Sequence, residues 1–332
     1  MPLKLHFLNV GHGDCTFIEL PSGRLMMVDI NNSTSLPYED ELALAREHAL
    51  NVAEFKSLEI AHTASGTYLS KSWEDYYKSL LVDPVDYYRD HFDGQNIFRY
   101  VQTHPDLDHM SGLYRFFWQE KVPVINFWDT DHTKTFVEED FDNSPFDYAN
   151  WLVYTVLRNG GGPDNADVKA LKKYRGDSGD YWAPDRIEIL SPTPALVDTS
   201  NDRGESNNLS YVLRISYGGR SVILPGDAEK LAWDSIVDHY GPGEIDCDIL
   251  KAAHHGRKSG YHHAAVSEMA PEIVVCSVGK KPSTDASADY ARHGAKVLST
   301  RFHGTISVTM WHDGEVWIYN HKGERIAELP SL

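Results

Sequence analysis

Apolar and polar positions alternate through Leu3–Val10 (LKLHFLNV), the pattern of a strand with one buried face. Gly11-His12-Gly13-Asp14 interrupts the pattern as a turn, and Cys15–Leu20 resumes it. Pro21-Ser22-Gly23 is a hairpin signal, after which Arg24–Ile30 (RLMMVDI) is a third strand carrying Asp29 near its end. The chain therefore opens as a β-meander. Ile97–Thr103 (IFRYVQT) reads as a buried strand that delivers the chain to His104, Gly112–Gln119 as the start of a helix, and Val122–Trp128 as a further strand. From Ile187 the strand pattern returns at Ile187–Leu190, Leu209–Tyr217, Ser221–Leu224, Asp248–Ala252, Ile273–Ser277, Lys296–Ser299, Thr305–Trp311 and Glu315–Tyr319, with helices between, as at Glu229–Tyr240. Strands clustered at both ends with helices interspersed predict an α/β sandwich, two sheets inside and helices outside.

Two stretches depart from this rhythm and read as insertions, residues 31–95 and 129–185, in a chain 1–332 that otherwise reads as one domain. The first holds a polar-faced helix at Glu39–Lys56 and an aromatic, acidic segment over Tyr68–Asp93. Its Trp73, Tyr76, Tyr77, Tyr87 and Tyr88 either pack the insertion against the core or stack on bases. The second is acidic at first, helical at Tyr148–Arg158 and loop-like at Gly160–Pro163.

Composition narrows the partners. A net charge of −18 over 332 residues argues against a broad basic surface for long nucleic acid. It leaves room for a local basic path, for metal ions that meet phosphate themselves, for a small anionic substrate or for a protein partner. The cysteines Cys15, Cys247 and Cys276 are odd in number and form no CxxC pair, which suits a reducing, cytoplasmic setting. The N-terminus turns polar by Asn9, and no run approaches the roughly 18–20 apolar residues of a membrane span, so a soluble protein with no membrane partner is expected.

Three elements carry candidate chemistry. His104-Pro105-Asp106-Leu107-Asp108-His109 places four potential ligands directly after a buried strand, and imidazole with carboxylate suits Zn²⁺, Mn²⁺ or Fe²⁺. Leu224-Pro225-Gly226-Asp227 ends a strand in a glycine turn that presents one carboxylate, a group able to bridge two metals. Lys251-Ala252-Ala253-His254-His255-Gly256 runs another strand into paired histidines, one to bind metal and the other to hold substrate or move a proton. His12 in the opening turn is either structural or close to the site, and His262-His263 either line the pocket or start a helix.

In this order the elements resemble the metallo-β-lactamase superfamily, whose usual signature HxHxDH has Asp106 here at its second histidine. THPDLDHMSG is similar to the hydrolase domain of ComEC-type DNA-uptake proteins and their stand-alone relatives. FLNVGHGDCTFIELPSG, MMVDINN, SNNLSYVLRISYGGRSVILPGDAE, DCDILKAAHHG and RFHGTISV resemble further stretches of that group, so the likeness covers residues 3–30, 97–115 and 187–320. It implies an αββα four-layer sandwich with helical and loop insertions, holding one or two divalent ions, Zn²⁺ or Mn²⁺. The implied metal contacts are His104, Asp106, Asp108, His109, Asp227 and His254, with His255 the alternative to His254 and Asp29 a carboxylate beside the site. Two departures stand out. Asn207 and Asn208 fall where many members place another metal-binding histidine, and Lys281 stands where the ComEC-type pattern has a GHP histidine. Lys280 or Lys281 then meets a substrate phosphate and Asp285 supplies a carboxylate, or the loop is an ordinary surface turn.

The implied activity is metal-dependent phosphodiester hydrolysis, a nuclease acting on DNA through metal-activated hydroxide. Asp108 would orient the water, and His255 or Lys258 would stabilise developing charge or protonate the leaving oxygen. The competing readings are a small-nucleotide phosphodiesterase and a regulatory or sensor subunit that binds a partner through the same pocket.

Overall fold

Every predicted strand forms, with ends displaced by at most about three residues, in the computed structural model, which describes residues 1–32, Leu44, Glu47, 79–180 and 182–332. In chain order the strands are β1 (Leu3–Phe7), β2 (Thr16–Glu19), β3 (Leu25–Val28), β4 (Ile97–Val101), β5 (Val124–Asp129), β6 (Lys169–Lys172), β7 (Ile187–Ser191), β8 (Val212–Tyr217), β9 (Arg220–Leu224), β10 (Ile249–Lys251), β11 (Ile273–Cys276), β12 (Lys296–Ser299), β13 (Ile306–Met310), β14 (Val316–Tyr319) and β15 (Arg325–Leu329). They make a nine-stranded sheet in the order β15-β14-β13-β1-β2-β3-β4-β5-β6 and a six-stranded sheet in the order β12-β11-β10-β9-β8-β7. The pattern missed β6 and β15, and both are edge strands of the larger sheet. Edge strands are kept polar against unwanted pairing, so KALK and RIAEL lack the strong alternation that identifies a half-buried strand.

The alternation in β1 assigns the layers. Leu3, Leu5 and Phe7 face a core between the sheets, meeting Leu213, Ile215, Val222, Leu224 and Val275 from the smaller sheet. Helices cover the outer faces. Helix α1 (Pro84–Phe92) and helix α2 (Tyr148–Arg158) pack on the larger sheet, with a π-helical turn at Tyr114–Gln119 where the helix start was expected. Helix α3 (Pro194–Arg203), helix α4 (Lys230–Val237), helix α5 (His263–Met269) and helix α6 (Ser287–Ala291) follow in the second half, and α4, α5 and α6 pack on the smaller sheet. The result is a four-layer αββα sandwich.

The insertions meet this frame differently. Of the helix expected at Glu39–Lys56, Leu44 and Glu47 are described and helical; the rest lies outside the described residues, as do Trp73, Tyr76 and Tyr77. Helix α1 starts at Pro84, with the Asp83 carboxylate accepting from Val85 N at 2.8 Å. Its tyrosines pack: Tyr88 is buried in the outer core, and the Tyr87 ring stacks on His91 while its hydroxyl meets His6 Nδ1 at 2.9 Å. The cysteines Cys15, Cys247 and Cys276 are free and buried. Among the described residues no helix is long and apolar enough to cross a membrane.

Candidate metal centre

Strands β3 and β4 run parallel, as do β9, β10 and β11, so several strand ends open onto one edge of the sandwich. Ligands of open α/β sheets gather at such carboxyl ends. Here the edge receives Asp14 after β1, Asp29 after β3, His104–His109 after β4, Asp227 after β9 and His254-His255 after β10.

Two glycines permit the convergence. Gly13 has φ +131°, and a Cβ on it would lie 2.3 Å from the Asp108 carbonyl oxygen, so only glycine lets the opening turn close on the HPDLDH loop. Gly226 has φ +53°, and its Cβ would lie 2.8 Å from Thr103 Cβ. The paired histidines have no such freedom. His254 and His255 both hold left-handed backbone, φ +48° and +55°, at a cost of about 1–3 kcal/mol each. That unfavourable turn aims both rings at Asp227.

Asp227 Oδ2 is the meeting point. It lies 3.3 Å from His109 Nε2, 3.4 Å from His255 Nε2, 3.8 Å from His254 Nε2 and 4.0 Å from His104 Nε2. Asp106 stands on the His104 side, with Oδ2 3.8 Å from His104 Nε2, and Asp108 on the His255 side, with Oδ2 3.3 Å from His255 Nε2. The opposite nitrogens are anchored. His109 Nδ1 meets Asp29 Oδ2 at 2.7 Å, His255 Nδ1 the Ser277 carbonyl at 3.1 Å, and His254 Nδ1 Glu229 Oε1 at 3.0 Å. His104 Nδ1 meets Thr103 Oγ1 at 3.0 Å, and that hydroxyl in turn donates to Asp29 Oδ2 at 2.7 Å. An imidazole that donates through Nδ1 has its lone pair on Nε2.

Among the buried atoms without a hydrogen-bond partner are Nε2 of His104, His109 and His255, Asp227 Oδ1 and both carboxylate oxygens of Asp14. Buried polar atoms without partners are costly, and here they face one another. Imidazole and carboxylate so arranged fit a divalent cation. Electrostatics agree. Burial alone would raise the Asp227 carboxyl, but His255 and His109 hold it well below the usual range. Burial alone would lower His255, yet Asp227 and Asp14 push it up to about 10. Without a cation, protonated His109 and His255 balance the carboxylates, and a metal would displace the protons from those rings.

The sequence reading gave no role to Asp14 or Lys251. Asp14, His109, Asp227 and His255 form a buried group whose ligand atoms all lie within 4.8 Å of one another. Asp14 nevertheless approaches both imidazoles from the Nδ1 side, 3.8 Å from His109 and 3.7 Å from His255, and pairs with Lys251 Nζ at 2.5 Å. We read it as a buttress behind the rings, with its charge matched by the lysine. The GHGD turn, a glycine then an aspartate after a strand like that at Asp227, was the signal for it.

Lys134 and Ser206 were also unread. They reach Asp106 Oδ1 from the second insertion and from the turn before β8, each at 2.7 Å. Asn207 Nδ2 lies 3.5 Å from His254 Nδ1, whereas Asn208 turns away to accept from Ala232 N in α4 at 3.1 Å. Lys258 is exposed, and its backbone N–H donates to the Thr284 carbonyl; no contact joins its side chain to the cluster. Asp285 is held within its own loop by Ser287 Oγ at 2.7 Å. His262 starts α5, accepting from Ala265 N at 3.2 Å.

Layering and ligand turns together define a protein of the metallo-β-lactamase fold, with a buried Asp/His cluster suited to divalent metal. In sequence the chain is similar to ComE operon protein 3 of Bacillus subtilis, 24% identical over 310 residues that cover 91% of this chain and 32% of that protein. It is similar also to competence protein ComA of Neisseria gonorrhoeae, 28% identical over 138 residues, 40% of this chain and 19% of that one. The chain thus spans a third or less of these curated relatives, and the likeness is that of a ComEC-like metallo-β-lactamase domain. No protein-family model matches it. Among solved structures, the metallo hydrolase Igni18 from Ignicoccus hospitalis matches 92% of this chain and 98% of its own, with TM-score 0.47 and 15% identity. The metallo-β-lactamase fold protein YhfI from Bacillus subtilis matches 96% of this chain and 100% of its own, with TM-score 0.44 and 10% identity.

Adding Mn²⁺ or Zn²⁺ to metal-free protein is expected to raise its Tm by several degrees. A ligand at a hundred times its Kd contributes about 2.7 kcal/mol, and each kcal/mol moves a domain of about 150–250 residues by ~2–4 °C. Differential scanning calorimetry with and without chelator reads this, and an unchanged Tm with every divalent ion tried would mean the cluster holds none.

Proposed function

We propose that the protein is a metal-dependent phosphodiester hydrolase, a nuclease acting on DNA. The observation that carries this reading is the convergence of four imidazole Nε2 atoms, those of His104, His109, His254 and His255, on Asp227 Oδ2, with Asp106 beside His104 and Asp108 beside His255. Such a cluster fits one or two ions, Zn²⁺ or Mn²⁺. Divalent ions held there would acidify water and neutralise charge on a phosphoryl group in line for displacement.

The chain's own groups supply the rest. Burial alone would raise the Asp108 carboxyl, but His109 and His255 hold it well below the usual range, so it stays ionised and orients an incoming water by accepting a hydrogen bond from it. His254 is part-exposed and His255 buried, and each turns Nε2 to Asp227 Oδ2, where its lone pair would face an ion. Lys134 fixes Asp106 through one oxygen and leaves Oδ2 turned to His104.

The test is purified protein with Mn²⁺, Mg²⁺ or Zn²⁺ against single- and double-stranded DNA, RNA and bis-p-nitrophenyl phosphate, beside the Asp108→Ala/His109→Ala variant. DNA cleavage lost in the variant is the expected result. Turnover of the small diester alone would move the substrate to nucleotides. Bound metal without any turnover would sink the hydrolase reading in favour of a sensor.

A further inference from the structure

A basic pocket adjoins the acidic centre. It encloses about 210 Å³ and is lined by His12, Arg257, Lys280, Lys281, Pro282, Ser283 and Thr284. No carboxylate lines it among the described residues, although the chain as a whole carries a net charge of −18. One ring links the pocket to the metal centre. His12 stacks on His255 with centroids 6.2 Å apart and planes 16° apart, and Arg257 Nη2 reaches His12 Nε2 at 3.3 Å.

The loop that carries the lysines is fixed in place. Lys258 N donates to the Thr284 carbonyl at 2.7 Å, Ala286 N to the Gly256 carbonyl at 2.8 Å, and Arg257 and Asp285 pair as a β-bridge. These contacts tie the loop to the turn that presents His254 and His255. Half-exposed Lys281 has Nζ 3.6 Å from the largely buried Asp285, a separation longer than a hydrogen bond. Three cationic side chains, two hydroxyls and a proline-stiffened turn are the chemistry of a phosphate cradle.

We propose that this pocket is a phosphate-binding subsite for the phosphodiester that flanks the one at the metal centre, so that the substrate is a nucleic-acid strand and not a lone nucleotide. The inference rests on the hydrolase reading for its reaction but not for its binding. The basic pocket answers the difficulty set by net charge: the chain needs no broad basic surface if positive charge is concentrated one step from the reacting group.

The test uses manganese-loaded protein and a fluorescein-labelled short oligothymidylate with phosphorothioate linkages, which resist cleavage. Anisotropy is followed from about 50 to 200 mM salt. The Lys280→Ala/Lys281→Ala variant is expected to bind about tenfold more weakly at the low end. Its log–log salt slope should be shallower by about 1.4, the share of two single-strand phosphate contacts. Its hydrolysis of bis-p-nitrophenyl phosphate, which has no flanking phosphate, should stay unchanged. Equal affinity and slope in the two proteins, no binding by either, or an equal loss on the small diester would overturn the subsite. Lysine-dependent binding by a protein that hydrolyses no diester would keep the subsite and sink the hydrolase reading alone.

Discussion

Asp227→Ala is expected to lower kcat/KM for a phosphodiester by about 10³-fold or more and to reduce bound metal together with it. Its Oδ2 is the atom that all four Nε2 nitrogens face, at 3.3 to 4.0 Å, so its removal would take the central carboxylate from the cluster. Charge stabilisation by such ions is worth several kcal/mol, and each 1.36 kcal/mol is about tenfold in rate. Nothing compensates nearby, because Asp14 lies on the Nδ1 side of the rings and is matched by Lys251. The backbone should hold: Asp227 N donates to Ser210 Oγ at 3.1 Å, a bond alanine keeps. Elemental analysis beside steady-state kinetics separates the outcomes. A variant with wild-type metal and wild-type rate would remove Asp227 from the centre.

The reasons why some of the site was legible in sequence, and some not, are physical. HPDLDH could be read because its ligands lie in one turn after one buried strand, so local spacing fixes their neighbourhood. Gly226-Asp227 and His254-His255 could be read because each also ends a strand, and strand ends share an edge in a parallel sheet. What spacing does not encode is which side of a ring a distant group approaches. Asp14 and Lys251 meet across the gap between the two sheets, and their pairing depends on the full sandwich. Lys134 is similar. It comes from an insertion with no strand rhythm, and only its arrival at Asp106 gives it a role. The same limit appears in the fold, where polar edge strands β6 and β15 are held by backbone pairing that leaves little trace in side-chain pattern. The strand expected at Leu209–Tyr217 begins only at Val212, because Ser206–Leu209 winds into a 3₁₀ turn that brings Ser206 to Asp106.

Asp29→Asn should weaken metal binding by about 10- to 100-fold, the usual range for a partner behind metal-bound histidine, although the substituted side chain would touch no metal. Asp29 has φ +55°, and asparagine is among the few residues that tolerate this conformation, so the substitution changes chemistry more than backbone. The carboxylate accepts three hydrogen bonds: Thr103 N at 2.8 Å on Oδ1, with Thr103 Oγ1 and His109 Nδ1 each at 2.7 Å on Oδ2. An amide offers one acceptor oxygen and an NH₂ that faces donors. If the oxygen keeps Thr103 N, the NH₂ meets His109 Nδ1, which must give up its proton to accept. That proton moves to Nε2, the atom aimed at Asp227 and at any metal. The Thr103 hydroxyl, now free to donate to His104 Nδ1, reverses that ring in the same way. One isosteric change thus turns two coordinating lone pairs into N–H groups. Keeping the rings in their coordinating tautomer instead would strand buried donors at about 1–3 kcal/mol each. Calorimetric titration with Mn²⁺ or Zn²⁺ reads the affinity and thermal unfolding reads the stability. Wild-type affinity at wild-type stability would show that Asp29 does not set the tautomers, leaving its three contacts as packing of the β3–β4 edge.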